Sequence, residues 1–179
     1  AKLPGSHSGQ LHGFAVAAVS PTRFLVHGGT PGATQTPSKS LLQLDNIGLG
    51  ALTEAPAANG APAGTYGGVF ARAATTKVFA FGGSPAPAAT PPPLAGDVAI
   101  YNSALRSWSA PRCSGAAPPP ALHATALLVG TAVYVFGGRT AAGATAAVHR
   151  YNVATSAWSA VAVAPGAPAP APRWRHTMC

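Results

Sequence analysis

Histidines, carboxylates, cysteines and basic side chains have the most chemistry to offer, and this sequence of 179 residues holds them sparingly: six His, three Asp or Glu, two Cys and 11 Lys or Arg. A zinc or copper centre needs His or Cys ligands at short regular spacing, supported by a thiolate or carboxylate. None of His7, His12, His27, His123, His149 and His176 has such a companion. Hydrolysis by a carboxylate pair needs two acids at a set separation, and Asp45, Glu54 and Asp97 are scattered along the chain. Gly5-Ser6-His7-Ser8-Gly9 carries His where a nucleophile elbow needs Ser, and no glycine-rich loop ends in Gly-Lys-Ser or Gly-Lys-Thr. Cys113 and Cys179 are too few for a disulfide framework. The segment is therefore expected to hold no catalytic residue, no metal and no cofactor.

The formal net charge of +8 reflects scarce acids more than clustered bases. Lys2, Arg23, Lys39, Arg72, Lys77, Arg106, Arg112, Arg139, Arg150, Arg173 and Arg175 fall about one to a loop. Nucleic-acid binders gather such charge into a stripe with interleaved aromatics, so DNA or RNA is not the expected partner. Charged residues make up 8% of the chain, against about 25% in an average soluble domain. Apolar residues make up 47%, much of it Ala, with only 7% aromatics, so any core must rest on few large side chains. No apolar run reaches the roughly 18 residues of a membrane span. No charged segment followed by an apolar one marks a signal peptide, and an intracellular location is the default expectation.

The elements that must position these residues recur. Val78-Phe79-Ala80-Phe81-Gly82-Gly83 is followed by Tyr101-Asn102 and Trp108; Val133-Tyr134-Val135-Phe136-Gly137-Gly138 is followed by Tyr151-Asn152 and Trp158. In both, the Trp stands seven residues after its Tyr. A fainter copy comes first, with Phe24-Leu25-Val26-His27-Gly28-Gly29, then Leu44-Asp45, and Leu52 near the Trp place. The glycine pairs are 54 and 55 residues apart, a period that marks one supersecondary unit per repeat. Short apolar or alternating runs broken by Gly and Pro predict four strands per unit and little helix. Residues 84–96 and 165–172 read as extended proline-rich spacers. His12, Tyr66, His123 and His176 stand at the expected unit starts, spaced 54, 57 and 53. Strands apolar on both faces suit a sheet between two others, with Tyr and Trp filling the space and their polar tips seeking partners.

These residues resemble the kelch repeat: a first strand after a Pro-Arg stretch, a second strand ending in Gly-Gly, then Tyr-Asp/Asn and a Trp. The third unit matches throughout, from Pro120 and His123 to Trp158. The second has Tyr66 in place of the His, and the first loses the Tyr and Trp to Leu44 and Leu52. The resemblance implies an all-β, kelch-type β-propeller of four-stranded antiparallel blades, in rings of about six or seven within the range of known propellers. This chain would supply about three blades (12–56, 65–113 and 122–163) plus the start of a fourth at 172–179, with 1–11 as the tail of a preceding unit. The remaining blades are then expected outside this segment, in a longer chain. It further implies a non-catalytic protein-interaction scaffold, the partner held by inter-strand loops. Kelch modules that bind acidic peptide motifs use an Arg directly after Gly-Gly and an Arg after Pro-Arg-x. Arg139 follows Gly138, and Arg175 closes Pro172-Arg173-Trp174-Arg175, so these two are the expected partner-binding residues. Gly28, Gly29, Gly82, Gly83, Gly137, Gly138, Tyr101, Trp108, Tyr151 and Trp158 are the expected structural repeat positions. The alternative is the propeller part of a galactose-oxidase-like or other kelch-type enzyme whose active residues lie outside this segment.

Overall fold

A computed structural model describes residues 11–31, 36–45, 51–55, 61–63, 65–164 and 166–179. The expected tail of a preceding unit therefore lies almost wholly outside the described residues, as does the side chain of Leu52. Three antiparallel meanders follow one another along the chain. The first runs through β1 (Leu11–Ser20), β2 (Arg23–Pro31), β3 (Leu41–Asp45) and β4 (Ala51–Glu54). The second runs through β5 (Val69–Arg72), β6 (Lys77–Phe81), β7 (Val98–Asn102) and β8 (Ser107–Ser109). In the third, β9 (Ser114–Gly115) precedes β10 (Thr125–Val129) and β11 (Ala132–Phe136); then β12 (Arg139–Thr140) and β13 (Gly143–Ala144) form a hairpin of their own. The strands β14 (Val148–Asn152) and β15 (Ala157–Val161) complete it. No helix occurs among the described residues, so none is long and apolar enough to cross a membrane.

The third sheet departs from the expected four strands. β9 pairs parallel with the outer strand β15, Ala157 opposite Ser114 and Trp158 opposite Gly115. Residues 139–145 hold the β12–β13 hairpin, in which the Thr140 hydroxyl donates to the Gly143 carbonyl at 3.0 Å. β5 begins only at Val69, because Gly67 takes φ +66 and breaks the extended run before it.

The Tyr-Asn pair closes each outer hairpin. Asn102 Oδ1 accepts from the backbone N–H groups of Ala104 (3.0 Å) and Leu105 (3.2 Å); Asn152 Oδ1 does the same for Ala154 (2.9 Å) and Thr155 (3.2 Å). A side-chain oxygen thus stands in for a backbone acceptor and sets the turn. The register that follows puts Tyr101 opposite Trp108 and Tyr151 opposite Trp158, with ring centroids 5.2 and 4.9 Å apart. That pairing is the physical origin of the seven-residue offset. In the first sheet the Asp45 carboxylate instead ties β3 to β2, accepting from Arg23 Nε at 2.6 Å, with Gln43 as a second donor.

Side chains alternate across the middle sheet and build two cores. Phe70, Val78, Ala80, Tyr101 and Trp108 face the first sheet, against Val19, Leu25 and Leu41. Val69, Phe79, Phe81 and Ile100 face the third, against Val133, Val135, Tyr151 and Trp158. Both faces of β6 are therefore buried, which is why it reads as an uninterrupted apolar run. Trp158 lies edge-on to Phe79 and Phe81 at 5.9 and 5.5 Å, a favoured aromatic geometry. One expectation fails here: the Tyr151 hydroxyl is buried without a well-formed hydrogen bond, and burial raises its pKa.

Candidate functional site

The glycine pairs are where one sheet meets the next. The second glycine of each pair donates its N–H to a carbonyl of the following unit: Gly29 to Thr65 (2.8 Å), Gly83 to Ala121 (2.9 Å) and Gly138 to Arg173 (2.8 Å). A Cβ on the first glycine would strike that same oxygen, at 2.3 Å for Gly28, 2.6 Å for Gly82 and 2.6 Å for Gly137. All six glycines also take positive φ, a region open to glycine at little cost. The pair is thus required twice, by conformation and by close approach.

A second inter-sheet ladder corrects the expected alignment of the units. Gly67 donates its N–H to the Gly13 carbonyl, His123 to that of Gly67, and Arg175 to that of His123, at 2.8, 2.7 and 3.0 Å. Gly13, Gly67, His123 and Arg175 all have φ between 50° and 70°. These four are the equivalent residues, and the positions before them are His12, Tyr66, Leu122 and Trp174. Of the expected unit starts, only His12 and Tyr66 correspond. His123 falls one place further along and His176 two. A histidine in the sequence pattern outweighed a backbone conformation that side-chain identity does not report.

His123 and Arg175 of this ladder border a cleft of about 280 Å³ that is also lined by His12, Thr30, Tyr66, Arg139 and Trp174, among others. The two expected partner-binding residues, Arg139 and Arg175, therefore line one surface. Their guanidinium carbons lie 6.0 and 4.6 Å from the Trp174 ring centroid, within cation–π range. Trp174 is 38% exposed, so the ring is available from solvent as well as from the arginines. The rings of His12 and Tyr66, Tyr66 and His123, and His123 and Trp174 follow one another at 5.9, 5.4 and 5.8 Å.

The cleft is basic. Its lining contains no carboxylate among the described residues, since Asp45 is paired with Arg23, Glu54 accepts from the Ser40 hydroxyl and Asp97 borders a different pocket. Burial lowers the pKa of His123, and the charges of Arg175 and Arg139 lower it further. The positions equivalent to Arg139 are Thr30 and Ser84, both buried, so only the third unit presents a cation there. The Thr30 hydroxyl lies 3.1 Å from His12 Nδ1. Trp174, Tyr66 and His12 were not among the expected partner-binding residues; the run Pro172-Arg173-Trp174-Arg175 was the available signal for the first. Among the described residues no group of three or more His, Cys, Asp or Glu side chains could hold a metal ion.

Consecutive antiparallel meanders packed face to face, linked by glycine pairs at a fixed period, define a propeller-type repeat protein. A family model described as the KLHDC2/KLHL20/DRC7 Kelch-repeats domain matches residues 5–179. The chain belongs to this kelch-repeat family, and its sheets are blades of a kelch β-propeller. Such domains are typically non-catalytic modules that bind other proteins. No curated protein matches the chain significantly.

Proposed function

We propose that this segment is a non-catalytic interaction module whose basic cleft holds a carboxylate from an acidic peptide of a protein partner. Arg139 and Arg175 are the two contacts. What supports the reading above all is their meeting over Trp174, from positions 36 residues apart in the chain. A guanidinium offers paired N–H groups that match the two oxygens of a carboxylate. Stacking on the indole holds each head group in place before binding, which lowers the entropy lost on capture. Loops on a rigid blade scaffold are the usual carriers of recognition.

The test is the affinity of a short capped peptide rich in Asp and Glu, read by fluorescence anisotropy at increasing salt. Binding is expected to weaken with salt. Each charge-assisted hydrogen bond is worth about 1.5–3 kcal/mol, so the combined R139Q and R175Q variant is expected to bind at least about tenfold more weakly. Equal affinity for a lysine-rich peptide, or undiminished binding by the variant, would overturn the proposal.

A further inference from the structure

Arg139 is a wall between two clefts. On one side is the basic cleft. On the other is a groove of about 550 Å³, built from three separate segments: Pro91, Pro92 and Leu94 of the β6–β7 loop, Pro119 and Pro120 before β10, and Ala141 with Ala142 at the turn of the β12–β13 hairpin. Pro92, Leu122 and Arg139 line both clefts. The wall is fixed by its backbone, for Leu122 N–H donates to the Arg139 carbonyl at 2.9 Å and Arg139 N–H to the Leu122 carbonyl at 2.8 Å.

The chemistry of the groove differs from that of its neighbour. Proline has no N–H to donate and a fixed φ, so four prolines make a stiff wall poor in donors. Among the described residues lining the groove, the one hydroxyl is that of Thr140, which already donates to the Gly143 carbonyl and accepts from the Ala142 N–H at 3.2 Å. No acidic side chain lines either cleft among the described residues. The surface is thus a largely apolar trough that shares Arg139 with the basic cleft, where Arg175 stands.

We infer that the partner segment carries a bulky aliphatic side chain beside its acidic residue, and that the proline-lined groove takes it. The inference rests on the reading of the basic cleft given above and adds a second recognition element to it. Charge complementarity fixes the acid at Arg139, and the shared wall then delivers the neighbouring residue to the groove. Burying a leucine side chain there removes apolar surface from water without stranding a polar group.

The experiment compares two capped alanine-based peptides with a central Asp, one flanked by Leu on both sides and one by Ala. The Leu-flanked peptide is expected to bind about tenfold more tightly. Ala141→Gln, at an exposed hairpin turn, and Leu94→Asn are each expected to bring the ratio of the two affinities to about one. The Ala141 variant leaves the blade cores untouched, so its result stands even if Leu94→Asn folds poorly. Equal affinities in the unmodified protein, or a ratio that survives both variants, would overturn the groove while leaving the arginine cleft intact. If neither peptide binds, the cleft reading fails and the groove falls with it. A dimer in solution that Ala141→Gln dissociates would assign the groove to a second copy and equally overturn the inference.

Discussion

At the scale of single residues, His27 shows how one atypical side chain is accommodated in a repeated frame. It stands directly before Gly28, where the other blades place Phe81 and Phe136, and it is buried against Phe70 and Trp108. Its Nδ1 lies 3.3 Å from the Ser40 carbonyl, while Nε2 is buried without a partner. Burial lowers its pKa, and the Ser40 contact opposes this only in part. The folded state therefore binds the proton less readily than the unfolded chain. Stability contributed by neutral His27 is present above the ordinary histidine pKa near 6.5 and is lost as pH falls below it. His27→Phe is expected to stabilise the protein by about 1 kcal/mol near neutral pH, and by more in acid. Urea unfolding on either side of that pKa checks this, with His123, His149 and His176 leaving a residual pH slope in both proteins. A slope unchanged by the substitution would refute the assignment.

At the scale of elements, the glycine pairs and the Tyr-Asn…Trp words were legible because definite geometry demands each residue type. The pair admits a neighbouring carbonyl, and the Asn oxygen sets the hairpin turn. Gly82→Ala is expected to cost on the order of 3 kcal/mol, from left-handed strain and a lost or displaced inter-blade hydrogen bond. Gly130 shares the positive φ, at +59, but a Cβ there meets nothing within 4 Å. Gly130→Ala should cost only about 1 kcal/mol. Equal losses in denaturant unfolding would show that conformation alone, and not the close approach, demands glycine at position 82. Other elements were hidden for equally physical reasons. The strands β9, β12 and β13 are two residues long, too short to show any alternation. The ladder through Gly13, Gly67, His123 and Arg175 is defined by φ and backbone hydrogen bonds, which tolerate three residue types and so leave no consistent word. Arg139 and Arg175 could be singled out by their places after Gly-Gly and Pro-Arg-x, whereas their approach to the Trp174 ring depends on the fold.

At the scale of the whole molecule, small residues and few acids govern both packing and charge. Alanines such as Ala71, Ala80 and Ala99 fill the core between the large aromatics, so the sparse supply of Tyr, Trp and Phe suffices where both faces of a blade are covered. The net charge of +8 is spread along the chain, yet the fold places two of its arginines on one cleft with no carboxylate among the described residues lining it. Field strength at such a site exceeds what the average charge implies, because low-dielectric walls focus it. The most direct measurement is a double-mutant cycle on acidic-peptide affinity, with R139Q, R175Q and both together. If the two guanidinium groups hold one carboxylate jointly, each single variant loses most of the affinity and the double variant loses clearly less than the two losses combined. Losses that simply add, or affinities that do not change, would contradict a shared carboxylate site.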